Sequence, residues 1–291
     1  MSSDIMPMTE PRPRRQRSQS SGATDAALLF DEPGPRGRIL IAIGSVVAVI
    51  GIAALAAAVL YRLDLAGQLD YPKWRYFLGQ SVVSQLLEAA GTTLTLGGVA
   101  AVLTFPLGIA LGWLRLLDNR PIRWLVGLWI DAMRAVPMLL LVYFFLLVVP
   151  RFATISDFWK LALPIVMCTS ATTAEVFRSG VRALDRGQTE AAWALGMSPS
   201  LTMRLILAPQ ALRLMLPTLI TQMVTIIKGT TLAYVLAYPE LMYRGSTMIG
   251  QAKIDAHLSV FFQTYVIIAL LYIIVNWSLG ALARYIESRT R

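Results

Sequence analysis

Three stretches of this chain run for more than twenty residues without an Asp, Glu, Lys or Arg: residues 39–61, 89–114 and 258–283. A helix needs roughly 20 apolar residues to cross a hydrocarbon core of about 30 Å. Inside that core a lipid-exposed backbone must satisfy its own hydrogen bonds, so each stretch predicts a transmembrane helix. Shorter runs at 135–150, 161–174 and 214–227 reach spanning length only by continuing past charges. Those charges are Asp131 and Arg134, Glu175, and Arg213 or Lys228. Each costs about 2.5–3.5 kcal/mol in lipid on an insertion scale, so they should face a bundle interior or an interface. The reading is an all-α integral membrane protein of about six spans: 39–61, 90–114, 125–149, 158–177, 208–229 and 258–282.

Composition agrees. The chain is 56% hydrophobic and 15% charged, with a mean hydropathy of +0.61, whereas soluble domains carry about 45–50% apolar and about 25% charged residues. A single Cys (Cys168) excludes an internal disulfide, and a single His (His257) excludes a His-based metal cage or a His-dependent triad elsewhere in the chain. Cys168 reads as a small core residue and His257 as an interfacial loop residue. No cofactor is implied.

The net charge of +9 would point to nucleic acid in a soluble protein. In a membrane protein the excess belongs to cytoplasmic loops, and no nucleic-acid partner is expected. Six spans put both termini on one side. Placing them inside gathers 18 of the 26 Lys and Arg residues there against 7 outside, with Lys228 at a span edge. The prediction is a multi-pass plasma-membrane protein with cytoplasmic N- and C-termini.

Residues 1–38 hold six Arg, five acidic residues and five Pro, and read as a disordered basic cytoplasmic tail. Residues 39–61 are a retained first helix, 62–88 an external loop, 89–285 the core, and 286–291 a short cytoplasmic tail. The run 229–239 is too short to span and too apolar for an exposed loop, so a re-entrant or interfacial segment buried against protein is expected. Gly108 and Gly112 form a GxxxG spacing suited to close helix contact.

The cytoplasmic loop 178–212 is the most informative stretch. Asp185 and Gln188 resemble a helix-capping box. A short helix follows through Glu190-Ala191-Ala192, and Gly196 suits a left-handed cap. Ser198 and Pro199 then supply an N-cap and a first-turn proline for a second helix. A rigid, partly apolar helix–turn–helix unit in such a loop is built to dock.

The residues Glu190-Ala191-Ala192, Gly196, Ile206 and Pro209 resemble the EAA-loop signature of permease subunits of binding-protein-dependent ABC importers. Ala208 departs from it, standing where Leu is usual. The polar amino-acid branch is resembled by Gln188, Gln210, Ala211 and Arg213, by RAVPML (Arg134, Pro137) and by AEVFRSG (Glu175, Arg178, Gly180). The stretch TQMVTIIKGTTL also resembles that branch, with Thr221, Gly229 and Thr231 replacing the usual Asn, Asp and Ser. The likeness covers about 85–285 and is nearest to actinobacterial-type glutamate permeases. It implies a type I importer (MetI-like) permease fold preceded by one extra helix.

The resemblance implies no enzyme in this chain. Independently, a P-loop needs Lys followed by Ser or Thr, and the four lysines precede Trp74, Leu161, Gly229 and Ile254. An ABC ATPase dimer, a second permease subunit (homologous or identical), an extracytoplasmic binding protein and an amino-acid substrate are the implied partners, beside membrane lipid. Glu190, Ala191, Ala192, Gly196, Ile206 and Pro209 would couple to the ATPase. Arg134, Glu175, Gln222, Lys228, Thr230 and Thr231 are the candidates for the translocation path. Asp131 with Arg134, and Glu175 with Arg178, are spaced for local ion pairs that would hold helix ends. Lys228 with two threonine hydroxyls suits a carboxylate, or else snorkels to the outer headgroups. The alternative function is a self-sufficient channel or secondary transporter, which needs no docking loop.

Overall fold

Prolines and short polar turns set the element boundaries. The computed structural model describes residues 34–290, and among them all regular structure is helical. The chain divides into two units, Met1–Ala66 and Gly67–Arg291. In the first, α1 (Pro35–Leu65) opens on a proline at its first position, where the missing N–H would be unbonded anyway. It takes in Arg36 and Arg38, so it starts before the expected residue 39. Residues 1–33, which carry most of the tail predicted to be disordered, lie outside the described residues.

In the second unit the expected external loop is short. Helix α2 (Tyr71–Arg75) and a 3₁₀ turn (Tyr76–Leu78) occupy it, and α3 (Gln80–Leu114) already begins at Gln80. The Asn119 side chain caps α4 (Arg120–Ala135) by accepting from the Ile122 N–H at 3.2 Å. Pro137 then breaks the span expected over 125–149. It has no N–H for the preceding turn and drives Val136 to an extended ψ of 127°. The chain resumes as α5 (Met138–Leu147), and the segments Arg120–Ala135 and Met138–Arg151 meet at 95°.

Four described segments are long and apolar enough to cross a membrane: Arg36–Leu65, Gln80–Leu114, Pro199–Leu236 and Phe261–Leu282, or five with the bent pair. The span expected at 158–177 lies within α6 (Asp157–Arg182) and is not among them. Its environment explains this. Packed against α3, α4, α5 and the later helix α9 (Ala208–Gly229), α6 meets protein rather than lipid. It therefore tolerates buried Thr169, Ser170 and Thr173, each bonded to a carbonyl about one turn back. Gly108 and Gly112 seat α3 on α6 as the GxxxG spacing predicts. A Cβ at Gly108 would lie 2.5 Å from that of Thr173, and one at Gly112 would lie 2.7 Å from the Ala174 carbonyl oxygen.

The segment after α9 is a 3₁₀ helix, Thr230–Leu236, whose Ala233 packs with Leu96, Val142, Leu161 and Ala162. The chain turns at Ala237 (φ 52°) into α10 (Leu241–Asp255) and then α11 (Phe261–Thr290). Helix α11 extends through most of the tail expected at 286–291. Cys168 is buried, and His257 is exposed between α10 and α11.

Candidate functional site

Helix α7 (Arg186–Ala194) carries the Glu-Ala-Ala triplet. Asp185 caps it, its carboxylate accepting from the Gly187 N–H at 2.6 Å. The reciprocal half of the expected capping box is absent: Gln188 instead accepts from the Gln210 amide at 3.4 Å, tying α7 to the start of α9. Gly196 takes φ +77°, and the Met197 N–H bonds back to the Ala192 carbonyl, closing a Schellman turn. Ser198 then caps α8 (Pro199–Thr202), with Pro199 at its first position.

The second loop helix is not a separate unit. Helix α8 passes through a π segment, Met203–Leu207, directly into α9, so Pro199–Leu236 is one continuous stretch. The π segment falls just before Pro209, whose missing N–H leaves the preceding turn without one bond. The Ile206–Pro209 part of the signature therefore marks a widened turn inside a helix. Of the two alanines, Ala191 is exposed, but Ala192 is buried under α7 within the chain. Ala192 thus lets α7 lie close to its own protein and is not available to a partner. Glu190, Gly196 and Pro209 are exposed and Ile206 is half-buried. Around them Trp193, Leu195, Leu201 and Leu205 are exposed, Leu195 by 82%. These apolar side chains are not among the signature's own residues, although all four lie within its Glu190–Pro209 span.

At the same end of the bundle lies a four-residue ion cluster. Arg115, at the end of α3, bridges to Glu175 of α6 at 2.6 Å and to Asp131 of α4 at 3.3 Å. Glu175 also receives Arg178 at 2.7 Å. The Glu175–Arg178 pair is the expected one, whereas Asp131 pairs with Arg115 and not with Arg134. An i,i+3 spacing allows a pair, but here a cation from another helix takes the carboxylate and locks three helices together.

The remaining path candidates do not share one pocket. Gln222 is buried and donates to the Thr169 carbonyl at 3.4 Å, beside a Thr104–Thr169 hydroxyl contact of 2.8 Å. Lys228 is exposed at the end of α9. Thr230 is buried with its hydroxyl committed to the Ile227 carbonyl, and Thr231 donates to the Lys228 carbonyl at 2.8 Å. The Lys228 end lies near Ile165, which packs by Gly229. Ten residues of α6, about 15 Å, separate Ile165 from Glu175.

Sequence reasoning also passed over Glu240. It is fully buried, caps α10 by accepting from the Met242 and Tyr243 N–H groups at 2.9 and 2.8 Å, and accepts from the Tyr272 hydroxyl at 2.8 Å. A lone acid after Pro239, just before a helix, was the available signal.

Residues 104–291 match the family model described as "Binding-protein-dependent transport system inner membrane component". The chain belongs to this family. It is 34% identical over 230 residues to the glutamate transport system permease protein GluD of Corynebacterium glutamicum, covering 77% of this chain and 82% of that one. It is 33% identical to the probable glutamine ABC transporter permease protein GlnP of Bacillus subtilis, covering 68% and 89%. Among solved structures, an amino acid ABC transporter matches with a TM-score of 0.64 at 24% identity, covering 72% of this chain and 95% of that one. The MetNI methionine ABC transporter matches with 0.61 at 15%, covering 73% and 99%. At these identities the likeness establishes the fold, that of MetI-like type I importer permeases. The family match takes in the EAA loop, the ion cluster and Glu240. Helix α1 and the first part of α3 precede it.

Proposed function

We propose that this chain is the transmembrane subunit of an ATP-driven, binding-protein-dependent importer of polar amino acids, with glutamate the foremost substrate. The observation that carries the reading is the docking geometry of α7. Exposed Trp193 and Leu195 lead into a left-handed turn at Gly196, and three residues on begins the continuous stretch Pro199–Leu236, long and apolar enough to span a membrane. A rigid short helix joined to a long one transmits displacement as a lever, the physical form coupling takes between two bistable bodies. ATP hydrolysis belongs to a separate ATPase dimer that receives α7. A second permease subunit completes the path, and an extracytoplasmic protein delivers the substrate. Lys228 offers its ammonium to the substrate carboxylate. Glutamate and glutamine enter through the names of the similar permeases.

The test is co-purification of the tagged full chain from native membranes in mild detergent, with mass spectrometry of what accompanies it, for wild type and for Trp193→Asp. A P-loop ATPase with wild type and its loss in the variant supports the reading. A folded wild type without any ATPase overturns it. Uptake of labelled glutamate, challenged with glutamine, aspartate and arginine, decides the substrate.

A further inference from the structure

Beside the ion cluster, the end of α3, the start of α4 and the end of α6 enclose a cavity of about 400 Å³. Four arginines line it, Arg115, Arg123, Arg178 and Arg182, together with Trp124, Leu128 and Asp131. Two of the four are neutralised from within: Glu175 holds Arg115 and Arg178, and Asp131 also contacts Arg115. Arg123 and Arg182 have no ion pair among the described residues. Four guanidinium groups against two carboxylates leave a surplus of two positive charges in one cavity. Gly127 forms part of its floor, and the Arg115 guanidinium lies over it, 3.7–3.8 Å from where a Cβ would stand.

The apolar part of the lining narrows the ligand. Trp124 is 66% exposed and Leu128 is 55% exposed. They lie one turn apart on α4, directly after the basic first turn. A cationic cavity rimmed by an exposed indole and a leucine matches an amphiphile whose anionic head enters and whose chains lie outside. A small soluble anion has no use for the apolar rim. A second copy of the chain apposed through this same face would bring the same four arginines and be repelled. Basic pockets between transmembrane helices are suited to lipid phosphates, and arginine is the side chain that holds phosphate with two parallel bonds.

We infer that the cavity between α3, α4 and α6 binds the headgroup of an anionic phospholipid. Arg123 and Arg182 contact the phosphate, and Trp124 and Leu128 lie along the acyl chains. The lipid joins α4 to the end of α6 only four residues before α7, so it braces the root of the coupling loop. The site does not depend on what is transported. Its assignment to the inner leaflet alone rests on the proposed topology.

The full chain, with whatever subunits accompany it, is exchanged into nanodiscs of equal phosphatidylglycerol and phosphatidylcholine, released into detergent, and the retained lipid is measured by native mass spectrometry. Phosphatidylglycerol should be retained over phosphatidylcholine. Preference should fall about fivefold in Arg123→Gln and about thirtyfold in Arg123→Gln/Arg182→Gln, from the usual contribution of one arginine near an anionic surface. Arg123 is an exposed cation on a first turn, so its single variant keeps the fold. Arg186→Gln, an arginine outside this cavity, should leave the preference unchanged. Equal retention of the two lipids overturns the inference. So does an unchanged preference in the double variant, or displacement of the lipid by millimolar inorganic phosphate, which would mark a small-anion site.

Discussion

Gly196 separates two effects that most substitutions confound. Its φ of +77° requires a left-handed residue, yet no atom of the chain lies within 4 Å of a Cβ placed there. Within the protein a side chain at 196 therefore costs backbone strain and nothing in packing. For alanine that strain is about 1–2 kcal/mol. Aspartate tolerates the left-handed region better than alanine does, so Gly196→Asp should be the less strained variant. Either cost is small beside a typical stability of about 5–15 kcal/mol, and both proteins should insert at wild-type levels. A docked partner reverses the order. The aspartate is larger and charged, and it would stand on the exposed turn beside Leu195, where a partner must close over the loop. Thermal unfolding in detergent should rank wild type, then Asp, then Ala. ATPase co-purification and uptake per inserted molecule should rank wild type, then Ala, then Asp, with Asp near zero. If uptake instead follows the unfolding order, or if Gly196→Asp transports normally at normal membrane levels, α7 is not the lever and the coupling argument fails.

Other substitutions test the frame around it. Gly112→Leu puts a Cβ against the Ala174 backbone carbonyl and the Phe177 ring, and overpacking of about 1–3 kcal/mol should lower the membrane level seen by immunoblot. Gly91→Leu, on the same helix with nothing within 4 Å, should not. Glu175→Gln leaves Arg115 and Arg178 without their shared carboxylate, and a loss of about 1–3 kcal/mol should appear as a lower unfolding temperature, partly restored by adding Arg178→Gln. Tyr272→Phe removes one of three donors to the buried Glu240 while two backbone donors remain, so unfolding should ease by only about 0.5–1.5 kcal/mol. Lys228→Gln should reduce glutamate uptake without changing membrane level, and unchanged uptake removes Lys228 from the path.

The parts of this protein legible in its sequence are those where lipid or a turn imposes a rule on single residues. Lipid demands long uncharged runs, so the spans near 90–114 and 258–282 were visible as composition, and a left-handed cap demands glycine, so Gly196 was visible as a residue type. What escaped is set by neighbours distant in the chain. A span over 158–177 was expected, but not that α6 (Asp157–Arg182) would be walled in by protein: its threonines bond within the helix while α3 and α9 exclude lipid from it. The break at Pro137 was hidden by a hydrophobic run that continues straight through it. Asp131 has Arg134 one turn away in sequence, yet Arg115 reaches it first, because the turn after α3 places that guanidinium over Gly127. Ala192, read as a contact for a partner, is consumed by its own fold, while Trp193 beside it is left outside. A short amphipathic helix states that one face is buried and one is free. Which face meets its own chain is decided by where α8 and the π segment place the start of α9, and that placement follows from Pro209 and the turn at Gly196 together.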